Sequence, residues 1–182
     1  MSGPRRGNAD GPCPIGRAAD ILGDRWTLLI MRNATSGATR FDEFKTELGI
    51  ADNILSNRLN RLVETGLLVR VPYRPEEGGR TRDECRLTQA GEDMLPVLHA
   101  MMVWGTAYSE SASPTEPMRL VHSEWGESIE PGRRCPRCRK RVPRSETAWI
   151  RPWRGHSADV LGAAVSVVQP EFAGHGAGVG GG

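Results

Sequence analysis

Apolar positions recur at three- and four-residue spacing from Pro14 onward. Ile15, Ala18, Ala19 and Leu22 predict a first helix, with Pro14 suited to its first turn and Gly23 as its break. Asp24 can cap a second helix, RWTLLIMRN, which is apolar on most sides and therefore predicted to be central to the core. TSGATR reads as a turn. Phe41, Phe44 and Leu48 mark a short amphipathic helix, FDEFKTEL, stopped by Gly49. In ADNILSNRLNRLVETG, Leu55, Leu59 and Leu62 form one stripe, and Gly66 closes the segment.

Periodicity then changes. LLVRVPY and ECRLT predict two strands joined by a charged turn containing PEEGG. Thr88 can cap a long helix, QAGEDMLPVLHAMMVWGTAY, which Pro96 should kink or stagger. The order is helix, helix, helix–tight turn–helix, hairpin, helix. It predicts a mainly α (α+β) fold, a winged helix-turn-helix with a long C-terminal helix. Met94, Leu98, Met101 and Tyr108, extended by Leu95, Met102 and Trp104, are too apolar for one covered side. A two-fold partner is the simplest second cover.

Flanking segments are less patterned. Residues 1–12 are polar and rich in Gly and Pro, so a disordered arm is expected there. Residues 13–110 form the predicted domain, 111–117 a linker, and 118–155 a small separate basic element containing CxxC. Residues 156–182 are predicted to be a Gly-rich flexible tail. Apolar patterning that demands burial ends near Tyr108, so truncation there is expected to leave a folded dimer.

Composition changes this picture in two ways. Net charge is only +2, yet residues 133–154 hold nine basic groups against Glu146 alone. Of 24 basic residues only Lys45 and Lys140 are lysine, which suits phosphate recognition and equally follows from a GC-rich genome. Four cysteines make no disulfide scaffold. With no apolar run after Arg5 and Arg6, and no stretch long enough to span a bilayer, a cytoplasmic protein without a membrane partner is expected.

Specific residues then carry a family likeness. CPIGRAADILGDRWTLLIMR, RFDEF, GIADNILSNRLNRLVETGLLVR and CRLTQAGEDMLPVLHAMMVWG together resemble the HxlR-type winged-helix transcription regulators, from Cys13 to about Tyr108. The resemblance implies a bacterial, cytoplasmic homodimer that binds double-stranded operator DNA, a repressor that answers a small molecule or thiol-reactive signal. It also makes Cys13 the sensor candidate, since an N-terminal cysteine serves so in some such proteins. The tip RPEEGGRTRDE is longer and more charged than the proline-rich wing usual in the family. The tail resembles one found on some members, where a His, a Cys-Gly and a CxxC occur. Here His122, Cys135 and Cys138 match, and Trp125 stands where the other cysteine is expected.

These residues suggest roles. With Leu55, Leu59, Leu62 and Val63 inward, Asn53, Asn57, Asn60 and Arg61 point outward, flanked by Ile54, Ser56 and Arg58. Asn can pair bidentately with adenine and Arg with guanine, although the same stripe also suits a solvated helix face. Arg40 would meet a phosphate at a helix start, and Arg74, Arg80 and Arg82 would ride on the wing against Glu76, Glu77, Asp83 and Glu84. Cys13 before Pro14 lies where a helix dipole favours thiolate, while Cys85 is expected to be structural. His122, Cys135 and Cys138 supply three of the four ligands structural zinc wants, and Glu124 or His156 is a fourth candidate. No nucleophile motif accompanies His99, His122, His156 or His175, so an enzyme is not expected. An adaptor that keeps the winged fold and uses its basic tail for a protein partner is the alternative.

Overall fold

A computed structural model describes residues 13–75, 78–110, 116–130, 132–154 and 158–160. The predicted arm, most of the linker, Glu76, Glu77, His156, His175 and most of the predicted Gly-rich tail lie outside the described residues; residues 158–160, expected within that flexible tail, form a strand instead, because they pair with 148–150.

The helical half follows its sequence closely. Helices α1 (Pro14–Leu22), α2 (Arg25–Thr35), α3 (Phe41–Leu48) and α4 (Asp52–Glu64) lead to the antiparallel hairpin β1 (Leu68–Tyr73) and β2 (Arg82–Leu87). Asp24 caps α2, accepting from the Trp26 and Thr27 N–H groups at 3.0 and 3.2 Å. Gly49 ends α3 in the left-handed region at φ +58, where a Cβ would strain the backbone. The core gathers Ile30 and Met31 of α2, Phe44 of α3, Leu55, Leu59 and Leu62 of α4, Leu68 of β1 and Leu87 of β2. At about 2 kcal/mol per buried large aliphatic or aromatic side chain, this cluster fixes the turn between α3 and α4.

Two expectations fail. The long helix from Thr88 is not continuous: α5 (Gln89–Glu92) stops at Asp93, and α6 (Leu95–Tyr108) starts afresh. Pro96 therefore occupies the first turn of α6, where its missing N–H costs nothing, and produces no kink. Within α5, Gly91 sits close against the wing. A Cβ there would lie 2.1 Å from the Leu67 carbonyl oxygen, so α5 is pressed against the root of the wing.

The basic extension, expected to stand separately, shares its buried side chains with the helices. Its strands β3 (Arg119–His122), β4 (Thr147–Ile150) and β5 (Ala158–Val160) form an antiparallel sheet in that order. Leu120, Ile129, Val142 and Trp149 belong to the same hydrophobic cluster as Phe44 and Leu55. Burial thus continues well past Tyr108. Polar contacts complete the docking: the Trp149 Nε1–H donates to Thr35 Oγ1 at 3.2 Å, and Arg151 donates to Asn33 Oδ1 at 3.2 Å. Glu47 of α3 meets Arg151 and Arg154, each at 2.7 Å. Arg144 pairs with Glu92 of α5 at 3.6 Å. His99 of α6 hydrogen-bonds the Ile129 backbone.

Candidate nucleic-acid interface and thiol cluster

The turn between α3 and α4 is short and braced. Lys45 of α3 pairs with Asp52 at the start of α4 at 2.8 Å. Glu43 accepts from the backbone N–H groups of Thr39 and Arg40, at 2.8 and 2.9 Å, and so fixes the entry to α3. The Cys85 N–H donates to the Thr39 carbonyl at 2.7 Å, and Thr39 Oγ1 lies 3.1 Å from Glu84 Oε2. Wing and helix pair are hence one unit.

With its leucines buried, α4 leaves Asn53, Ser56, Asn57, Asn60 and Arg61 exposed. Two members of the polar set have partners on other elements, and Asn53 Oδ1 accepts from the Ile54 N–H at 2.9 Å. Arg58 is half-buried and pairs with Asp24 at 3.1 Å, so it joins α4 to the N-cap of α2. Asn60 accepts from Arg70 on β1. Arg40 is exposed, its guanidinium 4.8 Å from the Tyr73 ring centroid. Arg74, Arg80 and Arg82 are exposed on the hairpin, close to β1–β2 register pair Tyr73 and Arg82. The geometry brings a polar helix face and a cationic wing onto a rigid frame, as groove reading requires.

Away from this face, α1 and α6 expose apolar side chains: Ile15 at 80%, Trp104 at 64% and Tyr108 at 75%, with Val97 and Met101 beside them. Cys13 is exposed and is the N-cap of α1, its Sγ accepting from the Gly16 N–H at 3.4 Å. Cys85 is buried in the wing, and burial pushes its thiol pKa up. A thiol so placed is inert packing.

The extension brings His122, Cys135 and Cys138 together, their ligand atoms all within 4.8 Å of one another. His122 closes β3. Between the two cysteines the chain makes a tight knuckle, in which the Arg139 N–H donates to the Cys135 carbonyl at 2.8 Å and Arg139 takes φ +59. Cys135 is fully buried and its pKa is lowered to about 7, chiefly by the Cys138 backbone N–H, against the opposing effect of burial and with His122 and the Arg137 N–H assisting. Burial opposes protonation of His122, but its hydrogen bonds to Cys135 and Glu146 outweigh that and hold its pKa above the ordinary imidazole value. Glu124 lines the same cleft without joining the three ligand atoms. Trp125 packs edge-on to His122 at 6.3 Å and carries Arg137 at 4.3 Å over its ring.

Sequence reasoning missed Glu146 as a site residue. Its carboxylate lies 3.2 Å from His122 Nε2. The available signal was its isolation as the lone acid in a strongly basic run.

Comparison with known proteins bears on the helical half. The model of the HxlR-like helix-turn-helix family matches residues 21–113. An HTH-type transcriptional regulator of Mycobacterium tuberculosis is 40% identical over 128 residues, covering 70% of this chain and 78% of that protein. The HTH-type regulator YvaP of Bacillus subtilis is 33% identical over 53% of this chain and 88% of its own length. The solved structure of PA1607, described as a candidate transcription factor, superposes with a TM-score of 0.60 at 37% identity, over 71% of this chain and 89% of that one. All are named as regulators rather than enzymes, and among the described residues no helix is long and apolar enough to cross a membrane. Helix order, wing and matched residues agree, and the chain belongs to the HxlR-like helix-turn-helix family.

Proposed function

We propose that this protein is a dimeric, sequence-specific DNA-binding transcription regulator, with residues 13–110 as its DNA-binding and dimerisation unit. The carrying observation is the exposed face of α4, presented by a helix pair braced through Lys45–Asp52 and flanked by a wing bearing Arg80 and Arg82. Asn53, Ser56, Asn57 and Arg61 would read base edges in the major groove, and Arg40, Arg80 and Arg82 would hold phosphates. Arg58 serves this reading indirectly, because Asp24 already engages it.

Exposed apolar side chains on α1 and α6 support the dimer, since a second copy would bury Ile15, Met101, Trp104 and Tyr108. Two copies place two α4 helices on paired half-sites. A repressor that responds to an electrophile through Cys13 fits this layout, because the thiol is accessible and caps α1, whose Ile15 is also exposed.

The test is fluorescence anisotropy with DNA from the protein's own upstream region against scrambled duplex, over a salt series. Selective binding that weakens steeply with salt supports the reading. Equal affinity for both duplexes at every salt concentration, or none, overturns it and favours the adaptor.

A further inference from the structure

We propose that His122, Cys135 and Cys138 bind one Zn²⁺ per chain through His122 Nδ1 and two thiolates, leaving a fourth position open to solvent, with Glu146 as the positioning carboxylate. Three features carry this. The ligand atoms converge from two separate segments, the end of β3 and the CxxC knuckle, and Cys138 Sγ lies 4.0 Å from His122 Nδ1. Ligands on a tetrahedral zinc with Zn–S about 2.3 Å and Zn–N about 2.0 Å stand about 3.6–3.8 Å apart. Closing the set therefore needs shifts of up to about 1 Å at its widest pair.

The second feature is Glu146. It holds His122 Nε2 at 3.2 Å, which takes up that nitrogen and turns Nδ1 toward the sulfurs. A carboxylate behind a ligating imidazole is the usual support of a zinc histidine. Glu146 directly precedes β4, whose Thr147 pairs with His122 in the sheet, so backbone register keeps the carboxylate in place.

Third, the knuckle is shaped for a metal-bound thiolate. Backbone N–H groups of Arg137 and Cys138 reach the Cys135 sulfur, and Arg139 accepts a left-handed φ to complete the turn. Non-glycine residues take that conformation at a cost that a functional turn can justify. Two thiolates with an imidazole select zinc over the hard cations, which prefer oxygen. The fourth position faces a cleft lined by Glu124, Trp125 and Lys140, so water fills it and the ion is exchangeable.

Untagged full-length chain, purified without chelator and with its thiols reduced, tests the site. Zinc titrated in competition with a chromophoric chelator should bind at one ion per chain, and Co²⁺ in its place should give a thiolate-to-cobalt charge-transfer band. Cys135→Ser with Cys138→Ser should abolish both. Glu146→Gln should keep the stoichiometry and weaken binding ten- to hundredfold. Should the double variant misfold, the Co²⁺ band of the unaltered chain decides alone. No stoichiometric ion, no charge-transfer band, or unchanged binding in a folded double variant overturns the proposal. DNA binding enters none of these measurements.

Discussion

Trp149 donates its indole N–H to Thr35 Oγ1 at 3.2 Å, across 114 residues of chain. Thr35 is the last residue of α2, and both side chains are fully buried. The extension is thereby part of the core around the helix-turn-helix. Trp149→Ala should cost about 3–5 kcal/mol in urea unfolding, as for other buried aromatic truncations. A chain ended at Glu110 should lose stability too, contrary to what the apolar pattern suggested. Unchanged midpoints for both would show that the docked extension adds nothing.

Glu47 provides a second test of the same contact. It faces Arg151, which is 1% exposed, and Arg154. Glu47→Gln takes away the carboxylate that meets both Arg151 and Arg154 and should lower the urea midpoint. Glu47→Asp, which keeps the charge, should lose less than Glu47→Gln in the same denaturation assay, and equal loss would show that the charge is not what matters.

On α4, outward and inward positions should separate cleanly. Asn57→Ala and Arg61→Ala should each weaken specific DNA binding by about 1–3 kcal/mol without moving the thermal midpoint. Leu59→Ala should instead lower stability by about 2–5 kcal/mol, since Leu59 is buried. Anisotropy and calorimetry on the same samples distinguish the two. Wild-type selectivity in both outward variants would remove α4 from the interface.

His99 sets a pH dependence. Burial lowers its pKa below the ordinary 6.5, the Ile129 hydrogen bond opposes that, and Arg133 adds to the lowering. Because the folded pKa lies below the unfolded one, the unfolded chain binds more protons between them, and stability rises with pH there. This contribution is fully present above about pH 6.5 and is lost as pH falls through the lowered folded value. Full-length protein should therefore unfold at lower urea as pH drops below about 6.5, and His99→Leu should flatten that slope. Parallel slopes would assign the effect elsewhere.

Local signals made the helical half legible. Asp24, Gly49 and the Leu55, Leu59, Leu62 stripe each act within one or two turns, so spacing exposes them. What failed depends on distant partners. Gly91 reads as a tolerable helix glycine until the Leu67 carbonyl stands against it. Trp149, Arg151 and Glu47 carry no periodicity, and their meeting spans more than a hundred residues. His122, Cys135 and Cys138 are recognisable by residue type, and Glu146 stands out as the lone acid of a basic run, whereas its pairing with His122 comes from the β3–β4 register.

The close seat of Gly91 has a mechanical consequence. With no room for a methyl group between α5 and Leu67, the hairpin root and α5 meet at one close corner. Each hairpin strand is six residues long, a lever of about 20 Å at about 3.3 Å per residue. A tilt of about 5° at that corner would swing the hairpin end by about 2 Å, more than half a hydrogen-bond length. A glycine thus sets the angle at which the wing presents Arg82.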